Sequence, residues 1–291
     1  MSFLYVYNNG QVLPNNLPTI NFGNRGHLYG DGVFESVRII NGKAINLENH
    51  WVRITEGAKA IKMDVDQLLS KDFIEQKINE LIVKSGIKTG AKSRISLDRA
   101  PGGAYLPSIN EANLYIDINP LEKNYFELNS LGLEMDIYMD LKLEKSFLSK
   151  FKTKNGLKYI MAALAAKDKG MDDLFLINDR GQVLESSNSN VFVVHNGVLY
   201  TPGIDDGCIA GTMRMQIINL AIANNIKVYE CPIMPQNMLS ADELFLTNAI
   251  QGIRWVGSFR TKKYTNTMSR RFVVLLNEHW EKQTKSEIHV T

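Results

Sequence analysis

Apolar and polar positions alternate from Phe3 to Tyr7, and Asn8-Asn-Gly10 then interrupts the pattern as a hairpin turn does. A further strand runs out of Tyr29-Gly-Asp-Gly towards Arg38 and ends at the turn Asn41-Gly42. The period then lengthens. Leu47 opens a helix running towards Met63, and Asp66 to Ser85 predicts a second. Alternation returns at Ser93 to Asp98 and at Ala112 to Ile118. Proline and polar residues in Asn119-Pro-Leu-Glu-Lys-Asn124 break the apolar pattern. This divides the chain into a small N-terminal α/β domain over 1–119, a linker over 120–127 and a larger domain over 128–291.

In the second half, Leu157, Ile160, Met161, Leu164 and Ala165 recur at helical spacing, with Gly170 as a C-terminal cap. Leu174 to Ile177 predicts a buried strand, Asn178-Asp-Arg-Gly181 a turn and Val183-Leu184 the returning strand. Gly197 to Pro202 is a further strand, Thr212 to Asn224 an apolar helix and Ala241 onward another strand. A final helix from Thr267 to Gln283 turns Phe272, Val273, Leu275 and Leu276 inward. Helices and strands intermingle throughout, which predicts a mixed α/β (α+β) fold.

At 291 residues and 44% hydrophobic, the chain can bury a large core. Its 33 basic and 31 acidic residues are dispersed, with no basic tail or stripe of the kind that binds nucleic acid. No apolar run approaches the roughly 20 residues that cross a bilayer, and residues 1–8 lack the pattern of a signal peptide. A cytoplasmic protein without membrane association is expected. Cys208 and Cys231 make no disulfide framework, and the five histidines show no metal-ligand spacing, so no metal is expected.

The chemistry concentrates between Phe151 and Phe192. Lys150, Lys152, Lys154 and Lys158 crowd the loop before the helix, and Glu185 sits at a strand end beside small polar residues. An amine and a carboxylate on one rigid unit suit carbonyl chemistry, the amine condensing with the carbonyl and the acid tuning an attached ring.

Lys152-Thr-Lys-Asn155-Gly-Leu157 and Glu185 followed by Asn190-Val-Phe192 resemble the K-x-x-N-x-L and glutamate elements of the class IV (fold type IV) aminotransferases, which depend on pyridoxal 5'-phosphate (PLP). The likeness extends over nearly the whole chain. It includes Tyr29-Gly-Asp-Gly-Val-Phe-Glu-Ser-Val-Arg38, His50-x-x-Arg53, Arg99-Ala-Pro-Gly-Gly, Gly211-Thr-Met-Arg214 and Ala241-Asp-Glu-Leu-Phe245. The resemblance implies a two-domain, D-amino-acid-aminotransferase-like fold with the cofactor between the domains, and a homodimer completing each pocket. It makes Lys152 the catalytic residue, since Lys154 lacks the family spacing. Arg53, Glu185, Thr212, Met213 and Ala249 become cofactor ligands. Glu185 would face the pyridine nitrogen, and the others would receive the phosphate at an arginine fork and a helix N-terminus.

Tyr29, Phe34 and Ser36 are implied to line the substrate pocket. Arg38, Arg94, Arg99 and the Asn248–Ile250 turn are alternatives for a substrate carboxylate. Alternation places Arg94 and Arg99 on opposite faces of their strand. The activity implied first is transfer of an amino group between a branched-chain L- or a D-amino acid and a 2-oxo acid through a lysine Schiff base. The alternative is a 4-amino-4-deoxychorismate lyase forming 4-aminobenzoate and pyruvate in folate synthesis. Glu35 leans towards the transaminase and Asn248-Ala249 towards the lyase.

Overall fold

The computed structural model describes residues 4–17, 20–65 and 69–285; the expected strand start at Phe3 and helix start at Asp66 lie outside them. Two compact units are present. The first gathers the described residues of Met1–Tyr125, Phe151–Asn155 and Trp280–Thr291, and the second holds Phe126–Lys150 and Gly156–His279. The Lys152 segment, placed by the sequence reading in the second domain, therefore packs with the first unit.

The first unit contains β1 (Tyr5–Asn8), β2 (Gln11–Pro14), α1 (Arg25–Tyr29), β3 (Gly32–Ile40), β4 (Lys43–Ala44), α2 (Leu47–Ala60), α3 (Lys71–Lys84), β5 (Ala91–Arg99) and β6 (Ala112–Pro120). Its antiparallel sheet has the order β2-β1-β6-β5-β3-β4. Residues directly opposite one another in such a sheet share a face. One face carries the rows Val33–Leu97–Leu114 and Val37–Ser93–Ile118, and most of these side chains join Ile54, Ala58, Ile74, Ile78 and Leu81 of α2 and α3 in the core. The other face is polar: Gly32–Asp98–Asn113, Phe34–Ser96–Tyr115 and Ser36–Arg94–Asp117.

An extended segment is clipped to β3 from outside the sheet. The Phe34 N–H donates to the Lys152 carbonyl at 2.9 Å, and the Lys154 N–H to the Gly32 carbonyl at 2.9 Å. The position of Lys152 is thus set by backbone bonds rather than by the helix that follows it.

Two arginines brace this unit. Arg99, 5% exposed, pairs with Asp31 and donates to the carbonyls of Ile61 and Lys62 at the end of α2 and to the Asn110 side chain. Arg38, 6% exposed, donates through Nη2 to the carbonyls of Lys123, Asn124 and Tyr125, which fastens the expected linker to β3.

The second unit contains β7 (Leu133–Leu143), α4 (Leu157–Asp168), β8 (Asp173–Asn178), β9 (Val183–Ser186), β10 (Asn190–His195), β11 (Val198–Thr201), α5 (Thr212–Ala223), β12 (Val228–Glu230), α6 (Pro235–Leu239), β13 (Glu243–Asn248), β14 (Gly252–Phe259) and β15 (Lys262–Lys263). The chain closes with α7 (Thr267–Lys285). Among the described residues the sheet runs β12-β11-β10-β13-β14-β7-β8-β9, and β9 pairs back onto β10 through Asn190 and Glu185. That pair turns part of an open sheet into a ring. Inside it lie Ile137, Phe175, Val191, Leu244 and Val256.

The helix predicted from Leu157 forms, but not with the packing its spacing suggests. Leu157, Ile160, Met161 and Leu164 are exposed, and Ala162 and Ala166 are the residues buried against the sheet. Small side chains let the helix approach β8 closely. In α7, Phe272, Val273 and Leu276 are buried as expected and Leu275 is half-buried.

Substituting Arg99 with Met should lower stability by about 3 kcal/mol, because Asp31 and two carbonyls lose a buried partner. Urea unfolding measures this, and an unchanged midpoint would exclude a bracing role.

Candidate functional site

Phe34 lies half-buried on the polar face of the first unit's sheet. The Lys152 Nζ stands 4.7 Å from the centre of its ring, and the Arg94 guanidinium carbon 3.7 Å from the same centre. A cation over an aromatic face is held by the ring quadrupole, so one side chain gathers an amine and a guanidinium. Ser36 lies directly across from Arg94. No ion pair holds Arg94 among the described residues. Of the three arginines considered for a substrate carboxylate, Arg94 alone belongs to this cluster. Arg99 is held by Asp31 and by the carbonyls of Ile61 and Lys62, and Arg38 holds three linker carbonyls through Nη2. Arg94 and Arg99 leave β5 on opposite faces, as alternation requires. Tyr29 packs with Arg25 and Tyr105, its ring 4.8 Å from the Arg25 guanidinium carbon.

Glu35 takes the opposite parity to Phe34. It lies 1% exposed in the apolar row with Ile95 and Ile116. Arg53 of α2 donates to it through Nε and Nη2, both at 2.6 Å, and His50 Nδ1 lies 2.6 Å from its Oε2. Burial alone would raise the Glu35 carboxyl, but the Arg53 charge and the His50 contacts overcome it and hold the group at about 2. Burial pushes His50 below the ordinary imidazole value, so it donates as a neutral ring. The bidentate fork fixes the plane of the Arg53 guanidinium. Glu35 is therefore an anchor for Arg53 and no part of the Phe34 face.

In the second unit, Glu185, Asn190 and Thr247 stand opposite one another on three neighbouring strands and share a face. Glu185 is 3% exposed and accepts from the Tyr159 hydroxyl at 2.8 Å and the Ile209 N–H at 2.9 Å. Burial and the neighbouring carboxylate push the Tyr159 hydroxyl far up, so it stays a donor. Asn190 donates to the Ile209 carbonyl at 2.9 Å. The two side chains thus pin both polar groups of Ile209, three residues before the helix α5 begins at Thr212.

The N-cap of α5 is Gly211, which provides no side-chain cap to the first turn. A Cβ at Gly211 would collide with the Asn190 amide, so glycine is required for this approach. Thr212 and Met213 are buried in that first turn. The Thr247 hydroxyl is buried with no hydrogen-bond partner among the described residues. At the end of β13, the Asn248 Oδ1 accepts from the N–H groups of Ile250 at 3.1 Å and Gln251 at 2.8 Å, and its amide donates to Ser189 at 2.9 Å. Ala249, between them, brings no side-chain donor.

Asn190 and Thr247 join Glu185 in one row, a placement that no sequence pattern singles out. Asn190 lay inside a quoted motif, but only the strand register reveals that it continues the Glu185 row. Asp98 was not singled out either; its signal was a charged residue on the same strand face as Arg94. Cys208 and Cys231 are both free, and burial pushes the Cys208 thiol up to about 12. Among the described residues no cluster could hold a metal ion, and no helix is long and apolar enough to cross a membrane.

The sequence model of a family described as amino-transferase class IV matches residues 32–259. A putative branched-chain-amino-acid aminotransferase of Methanocaldococcus jannaschii is 29% identical over 245 residues, covering 83% of each chain. An aminodeoxychorismate lyase of Bacillus subtilis is 26% identical and covers 98% of this chain and 96% of its own. Among solved structures, a branched-chain aminotransferase from Thermoproteus uzoniensis superposes with a TM-score of 0.86 at 23% identity, covering 95% of this chain and 94% of its own, which establishes the fold.

The Glu35 carboxyl is depressed from 4.5 to about 2, so its contribution to stability is complete above pH 4.5 and is lost as pH falls towards 2. Glu35→Gln should therefore be less stable than the parent at neutral pH, with the gap closing below pH 4.5. Urea unfolding at stepped pH reads this, and a constant gap would show that Glu35 is not the group titrating.

Proposed function

Within the class IV aminotransferases, the PLP-dependent family to which this chain belongs, we propose that it is a lyase acting on 4-amino-4-deoxychorismate, releasing pyruvate and leaving 4-aminobenzoate. By the family resemblance, Arg53, Lys152, Glu185, Thr212, Met213 and Ala249 would hold the cofactor. The residues fit the group. An amine waits on an aromatic face, a helix begins at an uncapped glycine, a buried carboxylate is aligned by two donors, and an orphaned hydroxyl lies in its row. PLP supplies an electron sink that acidifies the carbon bearing the substrate nitrogen.

The observation that carries the choice is where a carboxylate would be received. In an α-amino acid the carboxylate is one bond from the reacting carbon. The turn that would take it has its Ile250 N–H already bonded to Asn248. Arg94, by contrast, stands on the ring that also carries Lys152. A guanidinium on that aromatic wall disfavours a branched aliphatic side chain and suits a carboxylate several bonds from the amine. Glu35, which leaned towards transamination, is turned into the core, away from Phe34 and Arg94.

With PLP and substrate bound, the Lys152 amine would take the proton from the carbon bearing nitrogen. The carbon–oxygen bond to the enolpyruvyl group then breaks, and the departing enol gains a proton at its methylene carbon to become pyruvate. Phe34 and Ser36 line the wall, and Arg94 holds a carboxylate.

The second reading is the transaminase, favoured by the 29% identity to the archaeal relative. The PLP-loaded protein should release pyruvate and 4-aminobenzoate in equal amounts from aminodeoxychorismate with no keto acid added. If it releases none, while D-alanine, L-leucine or L-glutamate converts the yellow cofactor to its near-ultraviolet amine form, the transaminase is correct. Lys152→Ala should abolish turnover in either case. Arg94→Leu should raise KM at least tenfold with little change in the absorbance of bound PLP.

A further inference from the structure

Two lysines, not one, are presented on the clipped segment. Lys152 and Lys154 flank Thr153, which bridges to Val33 in an antiparallel register. Extended backbone sends residues two apart to the same side, so both amines leave the segment in one direction, their origins roughly 7 Å apart. Nothing in the spacing forbids Lys154 from reaching an aldehyde that Lys152 can reach. The two differ in what meets their ends. Lys152 lies over the Phe34 ring. Lys154 forms an ion pair with Asp98, whose side chain is 1% exposed.

Asp98 is built in. It stands on β5 directly opposite Gly32. A Cβ at Gly26 would come within 2.5 Å of the Asp98 Cγ, and one at Gly32 within 2.8 Å of its Oδ1. Two glycines therefore clear the space for this carboxylate, and the same Gly32 accepts the Lys154 N–H. Side chain and backbone of Lys154 are held at one point.

We infer that Asp98 selects against Lys154: it detains the Lys154 amine as an ion pair, at a point cleared by two glycines, and so withholds it from the cofactor. This rests on the assignment of Lys152 above. Condensation requires a neutral amine. Its lone pair attacks the aldehyde carbon, a C=N bond forms, and the two amine protons leave with the aldehyde oxygen as water. An amine end paired with a buried carboxylate is held away from that attack. Removing the carboxylate takes away the group that holds the Lys154 side-chain end in the space the two glycines clear. Asp98 is on this account a positioning residue.

The test is to load the protein with PLP, reduce the C=N bond with borohydride, and locate the pyridoxyl group by peptide mass spectrometry. The parent should carry it on Lys152. Lys152→Ala should carry at least tenfold less on Lys154, although Lys154 and Asp98 are intact. Lys152→Ala with Asp98→Asn should raise the Lys154 label at least tenfold, and adding Lys154→Met should remove it. Substantial Lys154 label in Lys152→Ala alone would overturn the inference, and that protein keeps the native ion pair whatever Asp98→Asn does to folding. A folded double variant, checked by circular dichroism, with no gain of label would overturn it as well. Label absent from Lys152 in the parent would instead defeat the assignment of Lys152, and the selection with it.

Discussion

Two backbone hydrogen bonds, joining β3 to the segment around Thr153, decide most of the chemistry available to the first unit. They convert a loop into a strand-like rung. Once the rung is in place, the two-residue period of β3 does the sorting. Phe34 and Ser36 fall on the side of Lys152, while Glu35 and Val37 fall on the side of α2 and α3. Every charged group of the unit then takes its role from the face it occupies. On the apolar face a charge must be paired or it would be prohibitively costly, and Glu35, Arg53 and His50 pair. On the polar face Arg94 is held by a ring rather than by a carboxylate.

The second unit solves a different problem with the same device. A carboxylate, an amide and a hydroxyl occupy one row across β9, β10 and β13, and two of the three anchor the loop that delivers α5. The positive end of a helix is useful to an anion only if it is aimed. Here the aim is set by bonds to Ile209 rather than by the helix's own packing, which is apolar on nearly every side.

Much of this was legible in the residues. Strand and helix order followed from periodicity, and the family elements placed Lys152, Glu185 and Thr212 correctly on a loop before a helix, at a strand end and in a first turn. What periodicity could not reveal was pairing. Arg38, Arg94 and Arg99 look equivalent in sequence, and only strand register and the carbonyls waiting at Ile61 and Lys123 separate braces from a surface-facing cation. Glu35 and Phe34 part for the same reason: Phe34 shares the face of Lys152 and Glu35 the face of α2, since a single step along a strand reverses the face. The apolar run in α4 did mislead. Its larger side chains lie outward, and the helix packs on its sheet through Ala162 and Ala166.

The ring in the second unit closes at the pair Asn190 and Glu185, and that narrowness has a consequence for motion. A seam one residue pair wide opens at far lower cost than a full ladder. Amides near it should exchange with solvent ahead of those in β13 and β14, whose pairing is continuous over four residues. The residue that carries the carboxylate is thus also one half of the seam. Anything that binds against Glu185 would tighten the seam, and the slowing of exchange in β9 would record that binding without any turnover at all.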